Sequence, residues 1–166
     1  MLSASESPAP DREPDREPGR PHLLLRAGDA VCALPLAAVR RVVKALPVHR
    51  LPGSAPELAG LAEFAGEPLP VLDLARLVAA APGATPAYPV TVIAWAGRAQ
   101  DRELVGLAAD AALEVAEIAA EAMVGGGSGV VAGEAEVAGR AVRVIDPAEL
   151  AGDGREAGSP AAGGAG

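Results

Sequence analysis

Aromatic residues are almost absent from this chain of 166 residues, which contains one Phe, one Tyr and one Trp. Proteins that bind single-stranded nucleic acid stack bases on several aromatic side chains, and Phe64, Tyr88 and Trp95 are too few for such a platform. The formal net charge of −8 also repels phosphate backbones and anionic lipid surfaces. The composition therefore argues against nucleic acid as a partner.

Cysteine and long hydrophobic runs are scarce as well. Cys32 is the only cysteine, so it cannot form an internal disulfide. No apolar run approaches the ~20 residues that a membrane-spanning helix needs, and the first residues, MLSASESPAPDREP, are polar throughout. These features predict a cytoplasmic, soluble protein that does not insert into a membrane.

The residue types that carry enzyme chemistry do not form a recognisable set. His22 and His49 are the only histidines, and neither has a Cys, Asp or Glu at the spacing of metal ligands. No serine stands in a Gly-x-Ser-x-Gly turn, and GGGSG at 125–129 lacks the lysine of a phosphate-binding loop. We therefore expect no catalytic site, no metal and no cofactor.

The two ends of the chain have the composition of disordered segments. Residues 1–20 contain the tandem copy DREPDREP at positions 11–18, and residues 153–166 are mostly Gly, Ala and Pro. The tandem copy could be a docking motif, but a solvated tail explains it more simply. We expect one folded domain between these ends, over residues 21–152.

Short apolar runs separated by Gly and Pro predict short strands throughout this domain. Two pairs of runs, each joined by a tight polar turn, predict hairpins, and one proline-bounded segment predicts a helical turn that continues as extended chain. The hairpin runs are 23–26 with 30–34 and 90–95 with 104–108, and the proline-bounded segment is 35–43.

Segment 108–124, AADAALEVAEIAAEAMV, is ambiguous between helix and strand. Its alanines and glutamates have high helix propensity, whereas Leu113, Val115 and Ile118 also suit a strand. On a helix, Glu114 and Glu117 would share a face, which is more typical of a solvated surface than of an acid–base pair.

One sequence pattern occurs twice, 73 residues apart, as VLDLARL at 71–77 and as VIDPAEL at 144–150. Each is a buried strand followed by an aspartate that can cap a short helix. For the first copy we expect a helix over 74–78 that ends at Pro82-Gly83, and for the second a helix starting at Pro147. The repetition predicts two similar small β units, for which two small barrels are the simplest closed arrangement.

The stretch GLAEFAGEPLPVLDL, residues 60–74, resembles the signature of the CheW-like domain of bacterial chemotaxis. In that signature a Gly, then Arg-Gly, then Pro, then Asp-Leu follow one another at this spacing. The corresponding residues here are Gly60, Ala65 with Gly66, Pro70, and Asp73 with Leu74. Three other segments also resemble the family: LLLRAGDAVCALPLAAVRRVV, ELVGLAADAALEV and AVRVIDPAELAG.

This resemblance implies an all-β fold with short helices, made of two SH3-like five-stranded β-barrels that are intertwined around a shared core. It also implies a non-enzymatic adaptor. Members of the family couple the cytoplasmic tips of chemoreceptors to the regulatory domain of a CheA-type histidine kinase, so these two proteins are the expected partners.

Two positions depart from the family pattern. The family usually has Arg where this chain has Ala65, and an acid where this chain has Arg41. Changes of charge at a buried interface each cost a few kcal/mol, so partners that changed with this chain are an open alternative. The residues that the resemblance places near contact surfaces are Val39, Arg41, Gly60, Ala65 and Gly66.

Two other functions remain open at this point. The chain could be a diverged module of the same fold that regulates another signalling protein outside a receptor array. It could also be a small-ligand-binding β-barrel, with a pocket lined by Trp95 or Tyr88.

Overall fold

The structure, a computed structural model, describes residues 19–81, 89–127 and 129–151. Most of the two expected disordered ends, the Pro82-Gly83 pair and Tyr88 lie outside the described residues. Within the described part, no helix is long and apolar enough to cross a lipid bilayer.

Ten strands make up most of the described residues, together with one α-helix and four short 3₁₀ segments. The strands are β1 (Arg20–Ala27), β2 (Ala30–Pro35), β3 (Val39–Lys44), β4 (Leu58–Phe64), β5 (Glu67–Asp73), β6 (Val90–Ala96), β7 (Glu103–Ala109), β8 (Ala111–Ile118), β9 (Val131–Val137) and β10 (Arg140–Ile145). Helix α1 is Leu74–Leu77, and the 3₁₀ segments are Leu36–Ala38, Ala99–Asp101, Ala120–Ala122 and Pro147–Ala151.

The strands form two five-stranded sheets with the same topology. Sheet 1 has the order β8-β1-β2-β10-β9, and sheet 2 has the order β3-β6-β7-β5-β4. In each sheet a central antiparallel hairpin has an antiparallel edge strand on one side and a parallel neighbour on the other. The parallel neighbour is itself the second strand of a hairpin, β9–β10 or β4–β5.

The sequence repeat is longer than the capped strand alone. EFAGEPLPVLD at 63–73 aligns with EVAGRAVRVID at 136–146, again 73 residues apart. The two units are nevertheless not the two halves of the chain, because sheet 1 combines the first two strands with the last three, and sheet 2 uses the strands between them. The two similar β units that the repetition predicts are present, but each of them is not one continuous half of the chain.

The barrels are not fully closed by their strands. Neither edge strand of a sheet pairs with the other edge strand among the described residues. Instead, the segment that follows one edge strand (β3 or β8) forms two backbone hydrogen bonds with the other edge strand of the same sheet (β4 or β9). His49 bridges to Leu61 across sheet 2 with N···O distances of 2.8 and 2.9 Å, and Val124 bridges to Glu134 across sheet 1 with 2.8 and 3.0 Å.

The hydrophobic core has three parts because several strands bury both of their faces. One cluster, which includes Leu25, Val92 and Ile145, draws side chains from both sheets. Two smaller clusters lie within sheet 1 and within sheet 2. Alternate residues point to opposite faces of a strand, so Leu24 belongs to the sheet 1 cluster while Leu25 belongs to the shared one. The shared core is what joins the two units.

The turn between β1 and β2 also joins the units through hydrogen bonds. Asp29 and Ala81 exchange two bonds, from Asp29 N to the Ala81 oxygen at 3.1 Å and from Ala81 N to Asp29 Oδ1 at 3.0 Å. Gly28 N donates to Asp110 Oδ2 at 2.8 Å. Asp110 thus has a structural role in holding this turn.

The local predictions are mostly confirmed. Both hairpins form, and a single 3₁₀ turn at Leu36–Ala38 leads into β3. Asp73 caps α1, since its Oδ1 accepts from Arg76 N at 3.3 Å. The ambiguous segment contains strand β8 rather than a helix, because pairing with β1 overrides the helix propensity of its alanines.

The first predicted helix is one residue shorter than expected, and the second starts at Pro147 as predicted but is of the 3₁₀ type. Helix α1 ends one residue early, at Leu77, where Ala79 takes a left-handed φ of 57°. Ala80 N then donates to the Ala75 oxygen at 2.8 Å and Ala79 N to the Arg76 oxygen at 3.2 Å, as in a Schellman motif. The segment after Asp146 is a 3₁₀ helix, with Asp146 Oδ1 accepting from Ala148 N at 3.0 Å.

Candidate functional site

Ala65 and Gly66 form the two-residue turn between β4 and β5. Phe64 pairs with Glu67 across the turn, and Ala65 and Gly66 have φ values of 55° and 82°. Two central residues with positive φ are the mark of a type I′ turn, whose twist matches that of the flanking strands. Both turn residues are exposed. We call Phe64–Glu67 the hairpin tip.

Arg41 lies on β3, the other edge strand of sheet 2, and its side chain contacts the hairpin tip. Its guanidinium carbon lies 5.8 Å from the centre of the Phe64 ring, within the range of a cation–π contact. Arg41 itself is exposed. Arg41 therefore contacts the hairpin tip that contains Ala65 and Gly66, through the ring of Phe64.

Val39 lies apart from this group, at the start of β3. It pairs with Ala94 of β6 and packs, half-buried, against the core cluster that both sheets share. A bulge follows it, between Val39 and Arg41. Val39 therefore fixes the start of β3, and through the bulge it sets the direction in which Arg41 leaves the strand.

Gly60 also lies apart, and its environment is buried. Its φ is 150°, and a Cβ at this position would lie 2.3 Å from the His49 oxygen. That oxygen accepts from Leu61 N in the bridge that links the two ends of sheet 2. Gly60 is therefore required for close approach of two backbones, and it is not part of the exposed surface.

The exposed surface beside the hairpin tip contains residues that the sequence did not single out. Val42 is 40% exposed, and Lys44 lies two residues further along β3. Phe64 supplies the ring that Arg41 contacts. A signal for them was present, since Phe64 is the only phenylalanine of the sequence and Val42 directly follows Arg40 and Arg41.

The electrostatics of this surface are mixed. Arg40, Arg41 and Lys44 are exposed on β3. Glu63 precedes the hairpin tip on β4, and Glu67 is the last residue of the tip, on β5. The position where the family usually has Arg is neutral here, and the guanidinium next to it comes from Arg41 on β3 instead. Such an arrangement can bind a protein surface with apolar and charged groups, but it contains no nucleophile or acid–base pair.

A cavity of about 660 Å³ lies at the other end of sheet 2. It is lined mainly by the connection before β4, together with Asp73 and Arg76. Trp95 does not line it; the Trp95 ring instead contacts the Arg102 guanidinium at 4.7 Å. The described residues contain no cluster of three or more His, Cys, Asp or Glu that could hold a metal ion.

Cys32 is fully buried in the shared core. Burial raises the pKa of the Cys32 thiol from 9.0 to about 12, and the positive charge of Arg143 opposes this rise. The thiol is therefore protonated at neutral pH and is not a reactive nucleophile.

Comparison with known protein families matches residues 21–155 to the CheW-like domain. The chain belongs to the CheW-like domain family. This match spans both sheets. The two five-stranded sheets, which share one topology, also agree with the fold that the family resemblance implies for this chain. Comparison with curated protein sequences gave no match.

The fold is similar to that of a solved CheW-like protein, the scaffolding protein TtCheW from Thermoanaerobacter tengcongensis. The TM-score is 0.66 at 19% sequence identity, and the alignment covers 77% of this CheW-like chain and 89% of TtCheW. At this level of identity the comparison establishes the fold alone. Family membership supports a scaffold or adaptor role in chemotaxis-type signalling.

Proposed function

We propose that this CheW-like chain is a non-enzymatic adaptor that couples chemoreceptor tips to the regulatory domain of a CheA-type histidine kinase. The observation that carries the proposal is the match of residues 21–155 to the CheW-like domain. The position of Arg41 beside the hairpin tip, which contains Ala65, supports a contact site there, because positions 41 and 65 are those at which the family usually carries charged residues.

The contact surface in this proposal consists of the hairpin tip and the adjacent part of β3. Arg41 presents a guanidinium held over an aromatic ring, and Val42 adds an exposed apolar side chain. Arg and aromatic residues are the types that contribute most at protein interfaces. Val39 and Gly60 act indirectly in this proposal, by fixing β3 and β4.

The departures at Arg41 and Ala65 shape the choice of partner. A kinase that pairs with a standard adaptor meets an arginine at the hairpin tip and an acid on β3, whereas this chain offers alanine and arginine. We expect tight binding only to a kinase whose own charges changed in the opposite sense.

The test is a binding titration with two kinase regulatory domains. One comes from the organism that encodes this chain, and the other from a system whose adaptor carries the usual arginine and acid. The native chain should bind the first, and Arg41→Glu should weaken that binding by about 10-fold or more. The double variant Arg41→Glu with Ala65→Arg should bind the second kinase at least about 10-fold more tightly than the native chain does.

Arg98→Glu is the matched control, because Arg98 is also exposed but lies on the β6–β7 connection. It should leave both affinities unchanged. If the native chain binds no CheA-type kinase and no receptor tip, the adaptor proposal is wrong. If the native chain binds but none of the variants changes affinity, the contact surface lies elsewhere on the fold.

A second candidate is a module of the same fold that regulates another signalling protein. The reversed charge at Arg41 favours it, since the surface differs from the standard one at its charged positions. Capture of a signalling protein other than a kinase or receptor by the native chain, lost in Arg41→Glu and retained in Arg98→Glu, would support this candidate.

A further inference from the structure

The tandem copy DREPDREP at 11–18 has a regular alternation of charge. A residue before proline is restricted to extended conformations, so this sequence favours extended chain over helix. In an extended chain, alternate side chains point to opposite faces. The odd positions hold only acids, and the even positions hold only Arg and Pro. One face of the extended segment would therefore carry four carboxylates about 7 Å apart. We call residues 11–18 the acidic repeat.

Positive charge is concentrated on β3 and in the connection that follows it. Residues 30–56 contain no Asp or Glu, although the whole chain has a net charge of −8. The basic residues in this run are all exposed: Arg40, Arg41, Lys44 and Arg50. None of them forms an ion pair with a carboxylate among the described residues. We call Arg40, Arg41 and Lys44 the basic surface.

The basic surface is open to an extended segment. It lies on an edge strand of sheet 2, and no strand of the described part of the chain pairs with the outer side of that edge. Val42, between Arg41 and Lys44, is 40% exposed and can contact the proline rings and methylene groups of such a segment. The surface therefore offers both charge and a small apolar contact.

The acidic repeat enters the fold next to the chain that leads into β3. β1 begins at Arg20, and His22 pairs with Pro35 of β2. The 3₁₀ segment Leu36–Ala38 follows Pro35 directly, and β3 follows that segment. From the usual spacings of paired strands, 3₁₀ turns and extended chain, Gly19 lies within roughly 25 Å of the start of β3. Eight extended residues span about 26 Å, so the acidic repeat can reach β3.

The other edge strand near the acidic repeat has the wrong charge. Arg20 pairs with Ile118, so the repeat also leaves the fold beside β8, an edge strand of sheet 1. The exposed charges of β8 are the acids Glu114 and Glu117, which repel carboxylates. Charge therefore favours β3 over β8 as the strand on which the acidic repeat lies.

We propose that the acidic repeat docks on the basic surface of the same chain, with carboxylates of its odd positions beside Arg40, Arg41 and Lys44. Exposed ion pairs are individually weak, but the covalent connection keeps the repeat at a high effective concentration near the surface. The docked repeat covers Arg41, so a partner that contacts Arg41 has to displace it. The inference does not rest on the adaptor function, because it concerns the chain without any partner.

The test is NMR on the full chain with a nitroxide spin label at Ser7→Cys, in a Cys32→Ala background that leaves one thiol for the label. The label broadens the amide signals of residues close to it. The reference is a neutral repeat of the same length with the same prolines: Asp11→Asn, Glu13→Gln, Asp15→Asn and Glu17→Gln. At low salt, broadening of the amides of residues 40–44 should be at least about 3-fold greater with the native repeat than with the neutral one. High salt should remove this difference, because exposed ion pairs are screened.

Charge reversal tests whether the basic surface is the docking site. Replacing all three of its basic residues with Glu should reduce the broadening to that of the neutral repeat. Lysine at the four odd positions of the repeat, combined with these replacements, should restore it, because both charges are then reversed. The matched control makes the same change of net charge at three exposed arginines outside β3: Arg98→Glu, Arg102→Glu and Arg140→Glu. It should retain the native broadening.

A mixing experiment identifies the chain that supplies the repeat. A spin-labelled chain without isotope label is mixed with an isotope-labelled chain without spin label, and residues 40–44 should then show no broadening. Broadening in the mixture would mean that the repeat of a second copy docks, which would overturn the proposal. Equal broadening with native and neutral repeats, broadening centred on β8, or no recovery when both charges are reversed would overturn it as well.

Discussion

Arg143 of β10 donates from Nη1 to the backbone oxygen of Val78 at 2.6 Å, and this bond links sheet 1 to the end of α1 in the other unit. The acceptor lies in the turn where the helix ends, so its oxygen has no partner within the helix ladder. Arg143 also lies close enough to Cys32 to oppose the rise in the thiol pKa. One side chain therefore connects the two units and influences the core between them.

Replacing Arg143 with Met should lower the free energy of unfolding by about 2 kcal/mol, the size expected for a hydrogen bond from a charged donor. Urea denaturation followed by circular dichroism measures it. Arg140→Met is the control, because Arg140 is exposed on the same strand and should change stability by less than about 0.5 kcal/mol. Equal effects at the two positions would show that the bond to Val78 contributes nothing specific.

The buried thiol of Cys32 predicts a loss of stability at alkaline pH. Its pKa is about 12 in the folded chain against 9.0 as the ordinary value, so the unfolded chain loses this proton first as pH rises. Below pH 9 the group has no effect, and above it the free energy of unfolding falls, by about 1 kcal/mol between pH 9 and pH 10.

The check compares the native chain with Cys32→Ala in urea titrations across this range. The stability difference between the two proteins should be constant below about pH 8 and should shrink above about pH 9, since the variant lacks the titrating group. A thiol reagent at neutral pH should modify Cys32 only at the rate of unfolding. Fast modification under native conditions would contradict the assigned burial.

Features that depend on neighbouring residues could be predicted from the sequence. The Asp73 cap needs only a strand end followed by a helical turn, and the hairpins need only short turns between apolar runs. The division of strands between the sheets could not be predicted in this way. It depends on the parallel pairs β2–β10 and β5–β7, which join distant segments and leave no local pattern.

The candidate site shows the same limit. Arg41 and Ala65 were predicted as contact residues from the family pattern, but the contact of Arg41 with Phe64, the neighbour of Ala65, depends on how closely β3 approaches β4 at the incomplete closure of the barrel. Gly60 carried the same sequence signal as Gly66, yet one is held against a backbone and the other faces open space. Spacing alone does not distinguish these two uses of glycine.

Four alanines of the described residues have positive φ, a region where a Cβ costs about 1–2 kcal/mol: Ala65, Ala79, Ala99 and Ala138. Ala79 ends α1 at the position where glycine is preferred. Ala79→Gly should raise the thermal midpoint, because relief of the backbone strain exceeds the added entropy of the unfolded chain; we expect a gain of about 0.5–1 kcal/mol. Ala80→Gly, one residue later, is the control and should not stabilise. A lower midpoint for Ala79→Gly would show that the left-handed turn carries little strain.

Gly60 and Gly66 predict different outcomes for the same substitution. Gly60→Ala places a Cβ 2.3 Å from the His49 oxygen, so β4 must move away from the bridge that links the two ends of sheet 2. We expect a loss of about 3 kcal/mol in the free energy of unfolding, from steric overlap and from the loss of the bridge. Gly66→Ala has nothing within 4 Å of the new Cβ, so only its positive φ opposes the change, at about 1 kcal/mol.

Measurements of partner binding then distinguish an effect on folding from a direct contact with the partner at Gly60 and Gly66. If Gly60 acts only through the fold, Gly60→Ala should bind the partner like the native chain at low temperature, where the variant is folded. A larger side chain at Gly66 should instead weaken partner binding at every temperature. Gly66→Lys provides that side chain at the exposed hairpin tip, and Gly53→Lys is its control, since Gly53 also has a positive φ and open space around it. Weak binding by a fully folded Gly60→Ala chain would place Gly60 in the interface itself.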